Sequence, residues 1–213
     1  MKIAVFGAGG FGREIACLIR EINAAGTQVP FDFVGFFDDD PALKSVPQGK
    51  ILGTLQDLNA VEEPLAVVIA LGNPRVLRRV RERLDNPRLS FPNLISPRAH
   101  FLERDTVRMG CGNVIQAGVD ISCNVTLGNF NLFNLNATAG HDLVMGDCNV
   151  CLTGARLSGN VSVGDANLFG SNSVVCQGVP VGNETSLAAC SFAVAAMTDG
   201  KTYIGVPAKI LKL

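Results

Sequence analysis

The chain offers few side chains that can move a proton near neutral pH. It has two histidines, His100 in SPRAHF and His141 in AGHDLV. Asp142 follows His141 directly, and an adjacent carboxylate can orient an imidazole and set its tautomer. A neutral imidazole held in this way is a general base. With a backbone N–H close by to receive a developing oxyanion, it meets the needs of acyl transfer. The plainer alternative is a surface histidine beside a surface acid. His100 has no partner at a recognisable spacing and reads as structural or exposed.

A second group of residues points to a nucleotide. Gly7 to Gly12, GAGGFG, matches GxGxxG between an apolar strand and a helix. Glycines there allow a tight turn and let backbone amides approach a phosphate at the helix N-terminus. Asp38 ends the next strand, where an acid can hold a ribose hydroxyl. NAD is one reading. The unit stops after about 95 residues, without the second half that holds a nicotinamide, and no hydride-transfer site follows. A nucleotide-linked substrate is the better reading.

Other chemistries find little support. Seven cysteines form no framework, and Cys148 and Cys151 make a lone CxxC. A zinc or redox role needs a second pair or histidines at fitting spacing, so we expect no metal. Net charge is −1 with no Lys/Arg-rich run, and Trp is absent. That argues against nucleic acid and an anionic membrane surface. No apolar stretch is long enough to span a bilayer. MKIAVFGAGG reads as a strand entering a turn and not as a signal peptide, so a cytoplasmic protein is expected. Hydrophobic residues make up 47% and charged residues 17%, enough to fill a core.

These residues need elements to position them. Residues 1–95 read as α/β. Strands are expected at Lys2 to Phe6, Phe33 to Phe37 and Leu65 to Leu71. Helices are expected at Phe11 to Ala24, with Ile15, Leu18, Ile19 and Ile22 on one face, at Asp57 to Val61, and at Val76 to Leu84. This alternation predicts a small parallel, Rossmann-like sheet. Pro92 to Ala99, with two prolines, reads as a linker.

Residues 96–213 follow a different rule. Every sixth residue from Met109 to Ala193 is apolar, fifteen in all. At this composition a given frame would do so by chance about once in 10⁵. Comparing MGCGNV, LGNFNL, MGDCNV and VGDANL, which start at Met109, Leu127, Met145 and Val163, shows a longer period of eighteen. Gly recurs second and Asn fifth, so Asn113, Asn131, Asn149 and Asn167 should stack and pass hydrogen bonds along a column. A triangular β-solenoid explains both periods, one hexad per side and three per coil, with about five coils from Met109 to Ala193. In that frame His141 is at or near a corner, facing out. Its vertical neighbours are Cys123 and Gly159, and Gly159 brings a small residue with a free backbone N–H.

GAGGFGRE, FFDDDP, ALGNP, the hexads with GHDLVMGD, and the terminal GVPAKIL together resemble bacterial hexapeptide-repeat sugar acyltransferases of the sialic acid O-acetyltransferase type. Among well-understood relatives, the chain is similar to the UDP-4-amino-sugar N-acetyltransferases of glycan biosynthesis. The resemblance covers nearly the whole chain. It implies a left-handed β-helix after the α/β domain, acetyl-CoA as co-substrate, and a homotrimer with acetyl-CoA between neighbouring solenoids. By its pattern His141 is the general base, Asp142 the acid beside it, and Gly159 the amide that contacts the acetyl carbonyl. Ser171 and Ala189 fall where the family contacts acetyl-CoA. Ala8, Gly9, Gly10 and Phe11 match the turn around the nucleotide-sugar phosphates. Phe37, Asp38 and Asp39 match the strand end that meets base and ribose, and Gly72 matches another substrate-side glycine. Two positions depart. Many relatives have His where Phe11 stands, and some have a CoA-contacting His where this chain has Val150.

The expected function is therefore acetyl transfer to a nucleotide-linked amino sugar in surface glycan biosynthesis. Three other readings compete. One keeps the chemistry and changes the acceptor to sialic acid, serine or another small hydroxyl compound. A second, zinc carbonic anhydrase on a hexapeptide solenoid, needs three shared histidines, and only His141 lies on the hexad array. The third is a binding protein without catalysis.

Overall fold

A computed structural model describes residues 1–26 and 30–211. Its first part is a six-stranded sheet in the order β3-β4-β2-β1-β5-β6. The strands are β1 (Lys2–Phe6), β2 (Asp32–Phe37), β3 (Ser45–Val46), β4 (Gly49–Gly53), β5 (Leu65–Ile69) and β6 (Leu89–Ser90). Only the β3–β4 pair is antiparallel. That small hairpin was not legible in the sequence, because β3 is two residues long and shows no alternation.

The helices are α1 (Gly10–Ala24), α2 (Leu55–Asn59) and α3 (Pro74–Arg83). The apolar face of α1, Ile15, Leu18, Ile19 and Ile22, is buried as its spacing predicts. α2 begins two residues earlier than expected because Thr54 caps it. The Thr54 hydroxyl accepts from Asp57 N–H, and the Asp57 carboxylate accepts from Thr54 N–H. Asn73 caps α3, and Pro74 fills its first turn.

The second part is a left-handed parallel β-helix of triangular section. Its coils run through three sides. Side 1 stacks strands from Leu94–Ile95 to Ser186–Leu187, side 2 from His100–Phe101 to Phe192–Ala193, and side 3 from Arg108–Met109 to Pro180–Val181. From the second coil to the strands Pro180–Val181, Ser186–Leu187 and Phe192–Ala193, paired strands lie eighteen residues apart, as in Thr138↔Arg156 and Val144↔Ser162. Of the fifteen apolar anchors all but Met109 are buried. A hairpin of Thr202–Gly205 and Ala208–Ile210 continues side 1 beyond the last coil.

One expectation is corrected. The stretch read as a linker, Pro92 to Ala99, holds the first solenoid strand, with Leu94 and Ile95 paired to Val114 and Ile115. The first coil escaped the hexad frame because it is irregular. Its strands His100–Phe101 and Arg108–Met109 start eight residues apart, where later neighbours start six apart. The excess forms a short 3-10 turn at Arg104–Thr106.

The corners have their own rule. Every sixth residue from Gly112 to Cys190 has positive φ, and ten of these residues are not glycine. Each corner turns through a left-handed residue, which Asn and Asp tolerate better than most. The asparagine column forms as expected. Asn113, Asn131, Asn149 and Asn167 are all 0% exposed. Each amide oxygen from Asn113 to Asn149 accepts from the backbone N–H one coil on, at 2.9–3.0 Å. Asn93 starts the column below, and Thr185 closes it above.

Candidate active site

The three corners differ in how they treat their backbone. At the corner between sides 3 and 1, the polar residues Asn129, Asp147, Asp165, Asn183 and Asp199 form a second column. Each side-chain oxygen accepts the backbone N–H of the preceding coil, at 2.7–3.0 Å. Glycines one residue earlier make room for it. A β-carbon at Gly128 would lie 2.2 Å from Asp147 Oδ1, and one at Gly146 would lie 2.1 Å from Asp165 Oδ1.

The corner between sides 2 and 3 is open. It carries His141, with Cys123 one coil before and Gly159 one coil after. The Asp142 N–H donates to Cys123 O at 3.1 Å, and the Asn160 N–H donates to His141 O at 2.7 Å. His141 Nδ1 is 2.8 Å from Asp142 Oδ2, and both side chains are about half exposed, 49% and 52%. The other ring nitrogen lies over Gly159, where an added β-carbon would be 2.2 Å from Nε2. Among the described residues no group accepts from the Gly159 N–H. Asp142 occupies the left-handed turn position, φ +57°. Its hydrogen bond with His141 holds its carboxyl below the ordinary carboxylate value, and a hydrogen bond from Asn124 adds to this. The arrangement is an oriented imidazole facing a free backbone donor across one coil spacing.

His100 is also paired. Its Nδ1 is 2.5 Å from Asp120 Oδ1 on the outer face of side 2. Thr138, Gly140 and Ser158 line the same shallow concavity.

The glycine turn is built for exposure in one direction only. Gly7 has φ +100°, and a β-carbon at Gly12 would lie 1.8 Å from Gly7 O, so these two glycines let α1 approach the turn. Gly9, Gly10 and Gly72 face open space. No side chain caps α1, which leaves its first N–H groups available to an anion. The Asp38 carboxylate accepts from Ala8 N–H at 2.7 Å and from Asp40 N–H at 2.9 Å. Asp39 Oδ1 accepts from Leu55 N–H at 2.8 Å. Both acids brace backbone, and each carboxylate keeps lone pairs for a further donor. Phe37 is buried at the end of β2.

The turn meets the solenoid over side 1. Gly10, Phe11 and Gly72 line a slot of about 180 Å³ with Asn134, Val150 and Leu152. Sequence reasoning missed Asn134 and Leu152. Their place one residue after an anchor, on the side 1–2 corner, was readable from the frame but carried no chemical label. Val150 faces outward from side 1 and is 2% exposed beneath the α/β domain. Ser171 and Ala189 lie eighteen residues apart on that same corner, nearer the C-terminal end.

The sequence-read residues therefore form two groups within one chain. The side 1 face of the solenoid, through Val114, Leu132 and Val150, shares a core with the α/β domain. His141 stands at the corner of sides 2 and 3, the vertex opposite side 1.

All seven cysteines are free thiols. Burial pushes Cys148 up to about 12 and raises Cys151 as well, which makes both poor nucleophiles. Among the described residues no cluster of His, Cys, Asp or Glu could hold a metal ion, and no helix is long and apolar enough to cross a membrane.

Residues 2–84 match the PglD N-terminal domain. The acetyltransferase domain of PglB from Neisseria gonorrhoeae FA1090, solved with acetyl coenzyme A, is 30% identical. The match covers 99% of this chain and 98% of that one, with a TM-score of 0.87. A His-to-Asn mutant of perosamine N-acetyltransferase from Caulobacter crescentus, bound to CoA and GDP-perosamine, is 27% identical over 100% and 97% of the two chains, with a TM-score of 0.85. WeeI from Acinetobacter baumannii AYE shares the fold at 24% identity, over 99% and 100%, with a TM-score of 0.84. No curated protein sequence gave a match.

Proposed function

The chain belongs to the hexapeptide-repeat sugar N-acetyltransferases that begin with a PglD N-terminal domain, and on that premise we propose that its open corner performs the acetyl transfer. Acetyl-CoA is the donor and a nucleotide-linked amino sugar the acceptor. The observation that carries the reading is the His141 imidazole, oriented by Asp142 and facing the unpaired Gly159 N–H.

In the proposed reaction the acceptor amine attacks the thioester carbonyl while His141 Nε2 takes its proton. The Gly159 N–H donates to the oxyanion that forms. Collapse breaks the C–S bond, and the CoA sulfur leaves with the proton from the imidazolium. Asp142 keeps the imidazole in the tautomer whose Nε2 is free to accept, and stabilises the cation. Holding both substrates in line supplies much of the acceleration.

The acceptor is held by Ala8, Gly9, Gly10 and Phe11 around its phosphates, by Phe37, Asp38 and Asp39 around base and ribose, and by Gly72. Phe11, in place of a histidine, makes the sugar end of the slot more apolar, and Val150 lines the same slot at the position where some relatives have a CoA-contacting histidine. Ser171 and Ala189 contact acetyl-CoA. Both substrates belong to the cytoplasm, which supports that location.

The separation of the two groups favours a site between copies. A threefold axis parallel to the solenoid, with side 2 facing it, brings the His141 corner of one copy against the side 1–2 corner of the next. The turn of one chain then serves the histidine of another, in a homotrimer. Co-expression tests this arrangement. His141→Ala and Gly10→Glu should each be nearly inactive alone, and mixed trimers should recover a measurable fraction of wild-type activity. No recovery in demonstrably mixed trimers argues for a site within one chain. Assaying a panel of UDP-, dTDP- and GDP-linked amino sugars against their hydroxyl counterparts tests the acceptor. Faster transfer to the hydroxyl compounds would overturn the amine assignment.

A further inference from the structure

A second, larger cavity of about 710 Å³ runs beside α1, along the lower coils of the side 1–2 corner. Arg13 and Cys17 of α1 line it, with Arg98, Gln116, Ala117 and Leu135 opposite. Gln116 is 5% exposed, and its Nε2 has no hydrogen-bond partner among the described residues; nor has Gln48 Oε1 on the same wall. Buried amide atoms are rarely left unpaired, so this wall offers one donor and one acceptor to a group from outside the chain. Arg98 is paired with Glu21. Arg13 forms no ion pair among the described residues, and Glu14 stands at the junction with the smaller slot.

The first coil of the solenoid is irregular, and its irregularity lies at the same height. The two-residue excess in the first coil projects at the side 2–3 corner, two coils below His141. Leu102 there is 66% exposed. Arg104 folds back over the Phe101 ring at 4.7 Å, which leaves the Glu103 and Asp105 carboxylates outward. The Leu102 and Asp105 carbonyls accept no hydrogen bond among the described residues. Arg98 belongs to this same coil, and Gln116 and Ala117 to the next.

We propose that this excess is a docking peg: Leu102 to Asp105 of one copy seat in the cavity beside α1 of the neighbouring copy. The proposal rests on the threefold arrangement given above. An axis parallel to the stack sets each coil against the same coil of the neighbour, so peg and cavity meet at one height. The chemistry matches. Leu102 covers Ala117, the peg carboxylates face Arg13, and a free peg carbonyl accepts a hydrogen bond from Gln116 Nε2. The peg fixes the height of one chain's glycine turn against the next chain's His141.

Cys17 supplies the probe. The full chain with Leu102→Cys is treated with a short bis-maleimide and run on a denaturing gel, alongside Leu102→Cys with Cys17→Ser, and sedimentation reports the oligomer. The peg predicts covalent dimers and trimers that require Cys17. A trimer without Cys17-dependent crosslinks overturns the peg and leaves the threefold arrangement standing. A monomer overturns both. Leu102 is exposed, so Leu102→Asp should fold. It should dissociate at a concentration at least tenfold higher than wild type, and unchanged association would sink the proposal.

Discussion

Two corners of one prism treat the same backbone in opposite ways. At the side 3–1 corner a carboxylate or amide closes each coil onto the next, from Asn129 to Asp199. At the side 2–3 corner the equivalent positions hold Cys123, His141 and Gly159, and the Gly159 N–H is unpaired among the described residues. The closed corner satisfies its donors internally and contributes to stability. The open corner leaves a donor and an oriented imidazole facing outward, where the proposed mechanism has a substrate use them. On the proposed mechanism the fold separates stability from chemistry by changing one hexad position. Substitutions at the two corners should fail in different ways.

The largest effect is expected at the open corner. His141→Ala should lower turnover by about 10² to 10⁴ if general-base catalysis holds. The thermal midpoint should hardly move, because the ring is half exposed and caps nothing. Near-normal kcat with saturating acetyl-CoA and acceptor would remove His141 from the mechanism.

Gly159→Ala should come next, for a steric reason. The new methyl would overlap Nε2. The imidazole is the free end of a side chain and can swing away, so the protein should fold normally. Losing the base from its place and crowding the oxyanion donor should cost about 10² in kcat, the lower end for removing one oxyanion contact. A variant that folds and turns over at more than half the wild-type rate breaks the proposed pairing of these two residues.

These two positions also show what the sequence could and could not tell. The period of eighteen set Gly159 above His141 before any coordinates, because parallel in-register coils convert sequence spacing into spatial neighbours. It equally set Asn113 beneath Asn131. Where the period breaks, spacing no longer converts into neighbours. The start of the first coil, Pro92 to Ala99, reads as a linker because the eight-residue step that follows breaks the period. The α/β domain has no repeat to average over, so the two-residue strand Ser45–Val46 left no pattern. Most of the named turn residues came from motif likeness, whereas the bracing of Ala8 by Asp38 needed coordinates. That the turn lies over side 1 while His141 stands at the opposite vertex could not be read from one chain's spacing either. It depends on which solenoid face the α/β domain covers, a choice fixed by outward residues such as Leu132 and Val150.

Inside the prism the effect changes kind. Asn149→Ala removes two donors and the oxygen that receives Asn167 N–H and Nδ2. Stranding these buried groups should cost about 3 kcal/mol. Chemical denaturation should show a lower midpoint. At temperatures where the variant stays folded, kcat should remain within about twofold of wild type. A loss of kcat as large as that of Gly159→Ala, without loss of stability, would mean that the column tunes the active corner and would end the separation drawn above.

The smallest effect tests the closed corner through pH. Asp199 accepts from Asn183 N–H at 2.8 Å, and this hydrogen bond lowers its carboxyl below the ordinary value. A carboxylate with a lower pKa folded than unfolded contributes stability that is fully present above the unfolded value. That contribution is lost as pH falls through the folded value. Asp199→Asn keeps an oxygen for Asn183 but cannot titrate. Its thermal midpoint should match wild type on the acidic side and fall slightly below it at neutral pH, so the difference grows as pH rises through the carboxylate range. Asn183 and Asn129 already fill this role without charge, so the column itself should persist in the variant. Asp57, lowered by its Thr54 cap in the α/β domain, serves as the control, since its contribution should titrate equally in both proteins. A midpoint difference that is flat with pH would show that the charge of Asp199 adds nothing to the closure of its corner.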